Sequence, residues 1–157
     1  MTHRYIKELG SYIDQEVVLK GWLAQKRDSK GLLFATMRDG TGFVQVVIDE
    51  NVVGNEIFEQ AKKMGQESSF AISGIVKKDE RQFGGVEVQA KSFCAYANAE
   101  DFPITPKEHG VDFLMDKRHL WLRSKRQWAI MRVRNTIIFS IHEFFQNKGF
   151  VQMDAPI

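Results

Sequence analysis

At 157 residues and 43% apolar content the chain can bury a core, and its length suits one domain or one domain plus part of a second. Twenty-two Lys and Arg against twenty Asp and Glu leave a formal charge of +2, so bulk charge announces no polyanion partner. The single Cys94 excludes an internal disulfide, the start MTHRYIKELG has no apolar signal region, and no window is apolar enough to span a bilayer. The expectation is a soluble, cytoplasmic protein with no membrane partner.

Residues 2–14 read as a short helical or irregular lead-in, with Ile6, Leu9 and Ile13 at helical spacing and Gly10 interrupting them. A first strand is expected from Glu16, placing Val17, Leu19, Gly21 and Leu23 on one face and Val18, Lys20, Trp22 and Ala24 on the other. Gly21 would let that strand bend. Residues 25–31 form a basic loop, residues 32–38 a second strand, Asp39-Gly40-Thr41-Gly42 a turn, and residues 43–49 a third strand. A helix capped by Asn55 follows, with Ile57, Phe58, Ala61 and Met64 on one apolar face and Gly65 closing it. Residues 69–77 make a fourth strand and residues 79–85 a turn holding Glu80, Arg81 and the Gly84-Gly85 pair. In a fifth strand over residues 86–97, Glu87, Gln89 and Lys91 oppose Val86, Val88 and Ala90. Three strands, a helix and two more strands is the order of the OB-fold, a small Greek-key barrel whose second and third strands and adjacent loops bind oligonucleotides. The fold class is therefore mainly β.

The second strand carries the functional signal. Leu33, Ala35 and Met37 face one way, so Phe34 stands among Thr36 and Arg38 on the polar side. A large ring there, with Lys26, Arg27 and Lys30 on the neighbouring loop, suits single-stranded nucleic acid: a base stacks on the ring for roughly 1–3 kcal/mol and cations hold phosphates. The competing reading packs Phe34 beneath a loop.

Residues 99–124 have no sustained period but carry Pro103, Pro106, Phe113, Leu114, Leu120, Trp121 and Leu122, which marks an ordered linker or hinge. Lys117 to Arg134 holds seven Lys or Arg and no acid, usually a solvated face. Ser124 caps a long helix to about Asn147, with Ile130, Val133, Ile137, Ile141 and Phe144 in one seam and Met131, Ile138 and Phe145 in a second. The final residues, 150–157, alternate like a strand that has no partner. The division expected is 1–98 barrel, 99–124 linker, and 125–157 the truncated start of a further domain. His109, His119 and His142 lack metal-ligand spacing, so no metal site and no catalytic residue is assigned.

Three passages resemble one family end to end: GWLAQKRDSKGLLFATMRDGTGFVQVVID in the barrel, PITPKEHGVDFLMDKRHLWLRS in the linker, and KGFVQMDAPI at the end. The chain is similar to the N-terminal part of asparaginyl-tRNA synthetases, which group with the aspartyl and lysyl enzymes in class II. The resemblance implies that the barrel binds the asparagine tRNA anticodon. Phe34 would stack a base, Gln45 would read the central uridine, Glu87 would lie near the first anticodon base, and Arg27 and Lys26 would contact the loop. The helix and tail resemble class II motif 1, which implies a homodimer through Ile130, Ile137, Phe144 and Pro156. An intact enzyme of this family would use ATP and Mg²⁺ to charge its tRNA with asparagine. The later class II motifs that grip ATP phosphates are not in these residues, so the chain is expected to bind and not to catalyse, with no cofactor of its own. Alternatives are a stand-alone RNA-binding or regulatory paralogue and part of an aspartyl or non-discriminating synthetase.

Overall fold

A computed structural model describes residues 3–82 and 84–155. It divides into two compact units, residues 1–102 and 103–157.

In the first unit a 3-10 turn, Ile6–Ser11, leads into strands β1 (Glu16–Ser29), β2 (Leu32–Arg38), β3 (Phe43–Asp49), β4 (Ser69–Lys78) and β5 (Val86–Ala97). They close a barrel in the order β1-β2-β3-β5-β4, antiparallel throughout except for the β3–β5 pair. Helices α1 (Glu50–Val53) and α2 (Asn55–Lys63) lie between β3 and β4 in sequence. This is the five-stranded OB-fold barrel expected from the element order. Alternation puts Val17, Leu19 and Leu23 of β1, Leu33, Ala35 and Met37 of β2, and Val44, Val46 and Ile48 of β3 inside. Leu9 of the lead-in joins them, and Phe58, Ala61 and Met64 bring the apolar side of α2 into the same core.

Four local expectations need correction. Residues 25–29 are not loop: β1 runs on and pairs with β2 to Ser29↔Leu32, leaving a two-residue turn. Lys30 (φ 43°) and Gly31 (φ 81°) both take the left-handed conformation that a tight hairpin demands. Asn55 is not a cap. Gly54, at φ 84°, precedes α2, and the side-chain cap belongs to α1, where the Asp49 carboxylate accepts from the Asn51 N–H at 2.9 Å. Ile13 is exposed, because the lead-in is a single 3-10 turn that ends before it. Residues 150–155 form no strand, since no ladder partner reaches them among the described residues; Pro156 and Ile157 lie outside those residues.

The second unit contains α3 (Val111–Asp116), α4 (Arg118–Trp121) and the long α5 (Lys125–Asn147). The segment expected to be linker thus holds two short helices. Ser124 caps α5 as expected, its hydroxyl accepting from the Gln127 N–H. Every residue of the two α5 seams is exposed, Ile137 at 54% and Phe144 at 57%. No helix among the described residues is long and apolar enough to cross a membrane.

Gly21 works by absence. A Cβ there would lie 2.3 Å from the Arg38 carbonyl oxygen and 2.9 Å from Met37 Cγ, at the point where β1 passes from its β4 ladder to its β2 ladder. Gly21→Ala is expected to cost about 1–3 kcal/mol of unfolding free energy. Gly10→Ala, with nothing within 4 Å of the added carbon, should change it by less than about 0.5 kcal/mol. Urea unfolding followed by tryptophan fluorescence checks both, and coincident curves would remove the close-approach role of Gly21.

Candidate nucleic-acid interface

Three cross-strand rows cover the outside of the barrel. The first is Arg27–Phe34–Val47–Gln89, the second Gln25–Thr36–Gln45–Glu87, and the third Trp22–Arg38–Phe43. Arg27 belongs there because of one irregularity. The β1–β2 register steps from Leu23↔Met37 to Gln25↔Thr36, so Ala24 is an extra residue on β1. Without it, strict alternation from Leu23 would turn Arg27 to the core side. With it, Arg27 sits opposite Phe34 and its guanidinium carbon lies 5.1 Å from the ring centroid. Phe34 is half-buried, on the outer face as the sequence predicts, with a cation on its ring and no burial beneath a loop.

The same bulge sends Lys26 the other way, opposite buried Ala35. Its ammonium donates to the carbonyl of Met64 at 2.6 Å and to that of Lys62, the open C-terminal carbonyls of α2. Partial burial lowers its pKa, and neighbouring Asp28 partly offsets this. Lys62 in turn pairs with Asp28 at 3.3 Å, so the outer half of the β1–β2 hairpin is fastened to α2. Lys26 and Arg27, read together as loop cations, therefore point to opposite sides of one strand.

In the second row the Gln45 amide donates to the Glu87 carboxylate at 3.1 Å. Glu87 also feels Arg81, which stands in the turn at residues 79–85 and is 86% exposed. Lys77, directly across the ladder from Glu87, is instead paired with Asp14, and Lys78 with Glu80. In the third row Arg38 forms a largely buried ion pair with Glu67, and its guanidinium carbon lies 5.2 Å from the Trp22 ring centroid. Trp22 and Arg38 were legible from alternation but carried no functional assignment; Thr36 and Gln25 complete the face. No group of three or more His, Cys, Asp or Glu able to hold a metal occurs among the described residues.

Chemically, the face offers a ring for stacking, the Arg27 cation upon it, and an amide and a carboxylate in the next row to read hydrogen-bonding edges. Its charge is mixed, which favours selective recognition over sequence-blind binding.

Residues 17–93 match the family model described as OB-fold nucleic acid binding domain, and residues 110–157 match that of tRNA synthetases class II (D, K and N). The chain is 49% identical over 152 residues to the asparagine–tRNA ligase of Lactobacillus johnsonii and 48% identical to that of Lactobacillus gasseri. Each match covers 97% of this chain and 35% of the relative, so the chain spans about a third of the length of those proteins. The crystal structure of asparaginyl-tRNA synthetase from Pyrococcus horikoshii superposes with a TM-score of 0.91 at 37% identity, over 99% of this chain and 38% of that one.

The turn beside Glu87 has its own electrostatic latch. Asp79 accepts from the Arg81 backbone N–H at 3.1 Å and from its side chain at 2.8 and 2.9 Å. The Arg81 side-chain bond, foremost, holds the Asp79 carboxyl well below its usual 3.8, at about 2. Because the folded pKa is depressed, this contribution is complete above the ordinary carboxylate range and is lost as pH falls through about 2. An NMR titration should find the Asp79 midpoint near 2 and return it to about 4 in Arg81→Ala; an unmoved midpoint would discard the latch.

Proposed function

We propose, for a chain that belongs with the class II aminoacyl-tRNA synthetases as the N-terminal part of an asparagine–tRNA ligase, that its barrel binds the anticodon loop of the asparagine tRNA. The observation that carries this reading is Phe34 with Arg27 laid over it, one row from Gln45 and Glu87. An exposed cation–π contact is worth about 0.5–1 kcal/mol, whereas a stacked base gains roughly 1–3 kcal/mol. A base therefore displaces the guanidinium from the ring, and Arg27 turns to the loop phosphates. Gln45 donates to and accepts from the central uridine, and Glu87 accepts from the first anticodon base. Lys26, spent on α2 carbonyls, serves the site by holding the hairpin that carries Arg27 and not by touching RNA.

The rest of the reading follows the same kinship. Residues 1–98 are the anticodon-binding domain, residues 99–124 the hinge, and residues 125–157 the start of the catalytic domain. The α5 face bearing Ile130, Ile137 and Phe144 meets a second copy, with Pro156 in the tail that follows. The intact enzyme works in the cytoplasm and couples asparagine to tRNA at the expense of ATP with Mg²⁺.

The full chain should bind an anticodon stem-loop with strong salt dependence, and Phe34→Ala should weaken it by roughly 1–3 kcal/mol, as read by titration calorimetry. Equal affinities would discard the stacking role. In analytical ultracentrifugation the chain should sediment as a dimer that Ile137→Glu converts to monomer. A wild-type chain that stays monomeric at every concentration would sink the α5 interface.

A further inference from the structure

Resting on that reading and deepening it, we propose that Glu87 is a positioning residue which locks the orientation of the Gln45 amide, and that this lock rejects cytosine where uracil is accepted. A glutamine amide presents an N–H beside a C=O. Turned over about its last bond, it presents the same two groups in the opposite order, at little cost in free solution. An unrestrained Gln45 would thus suit either pyrimidine. Uracil offers a carbonyl beside an imino N–H; cytosine offers an amino group beside a bare ring nitrogen. A pyrimidine fixed in its plane by stacking on Phe34 is discriminated only if the amide cannot turn.

Glu87 supplies the restraint. It is the direct cross-strand partner of Gln45 in the parallel β3–β5 pair, and its carboxylate lies 3.1 Å from Gln45 Nε2. An ionised carboxylate can only accept, so the amide must turn its NH₂ toward it; the reversed amide would set its oxygen against the carboxylate. Both residues are half-buried, which strengthens the preference over what water would allow. One N–H of Gln45 is spent on Glu87, leaving one N–H and the carbonyl oxygen, in fixed order, for a base edge.

The test uses the full chain and RNA stem-loops identical except for U or C at the central anticodon position, with affinities measured by fluorescence anisotropy. Wild type should favour U by roughly tenfold or more, the discrimination one oriented bidentate contact supplies. Glu87→Gln keeps size and hydrogen-bonding capacity but accepts either amide orientation. It should narrow the ratio to about threefold or less, chiefly through tighter binding of the C stem-loop. The first anticodon base and the phosphates are the same in both stem-loops, so any change in Glu87's contact with them moves both affinities alike and the ratio isolates the lock. A U-to-C ratio that Glu87→Gln leaves unchanged, whatever happens to the two affinities together, overturns the proposal while leaving the anticodon reading intact. Failure of wild type to bind either stem-loop strikes the anticodon reading itself. Should the variant not fold, the RNA-free wild type still decides: one Gln45 side-chain N–H should resonate downfield and exchange slowly by NMR, and two freely exchanging protons would end the proposal.

Discussion

Strand β1 is the member on which the barrel and its outer face both depend. Its first half pairs with β4 and its second half with β2, so this one strand closes the sheet on itself. The changeover is sterically possible only because Gly21 presents no side chain to the Arg38 carbonyl. Three residues later the extra Ala24 reverses the facing of everything beyond it. Arg27 is thereby delivered to the ring of Phe34 and Lys26 to the end of α2. Closure and site assembly are thus two results of one strand's geometry, and a change in either Gly21 or the bulge acts on both.

The hairpin that projects beyond the bulge needs an anchor, since a two-stranded ribbon is marginal by itself. Lys26 and Asp28 supply it from the same face of β1, the first bonding carbonyls at the end of α2 and the second its Lys62 ammonium. A helix C-terminus is the favourable place for a cation, because its last carbonyls are unpaired and carry partial negative charge. Helix α2 therefore reaches the outer face without being part of it. Its buried Phe58, Ala61 and Met64 fix it in the core, and it fixes the hairpin.

Alternation in β2, β3 and the first half of β5 was legible in the sequence, because Leu33, Ala35 and Met37, Val44, Val46 and Ile48, and Val86, Val88 and Ala90 recur at period two and all enter the core. Past Ala90 a register shift breaks the period before Phe93. The Asp39-Gly40-Thr41-Gly42 turn was legible for a related reason: its Asp39 carboxylate collects the Thr41 and Gly42 N–H groups, as Asp in a turn does. The outer half of β1 was not legible. Gln25 to Ser29 is polar on both sides, because one side is the outer face of the barrel and the other meets a helix end, and no apolar period survives to announce a strand. A run of cations there reads as loop, and its division into one residue that meets the Phe34 ring and one that fastens to α2 depends on a bulge with no signature of its own. Asn55 misled because a good capping residue beside a glycine looks like a helix start, whereas the chain has already begun with α1 capped by Asp49.

Residues 125–147 show the opposite imbalance between sequence and structure. The two apolar seams of α5 promise burial, yet every seam residue is exposed, so the face exceeds what an isolated helix of a soluble chain leaves open. Matched relatives are almost three times as long as the chain, and a contiguous apolar surface of that width is the kind that a partner surface covers. The barrel has no such debt. Its core is closed, Ser68, the one fully buried polar residue among the described residues, is bonded to Asn98 and Ala99, and its outer face carries polar and charged side chains. The barrel closes its own core, whereas α5 leaves both of its apolar seams exposed.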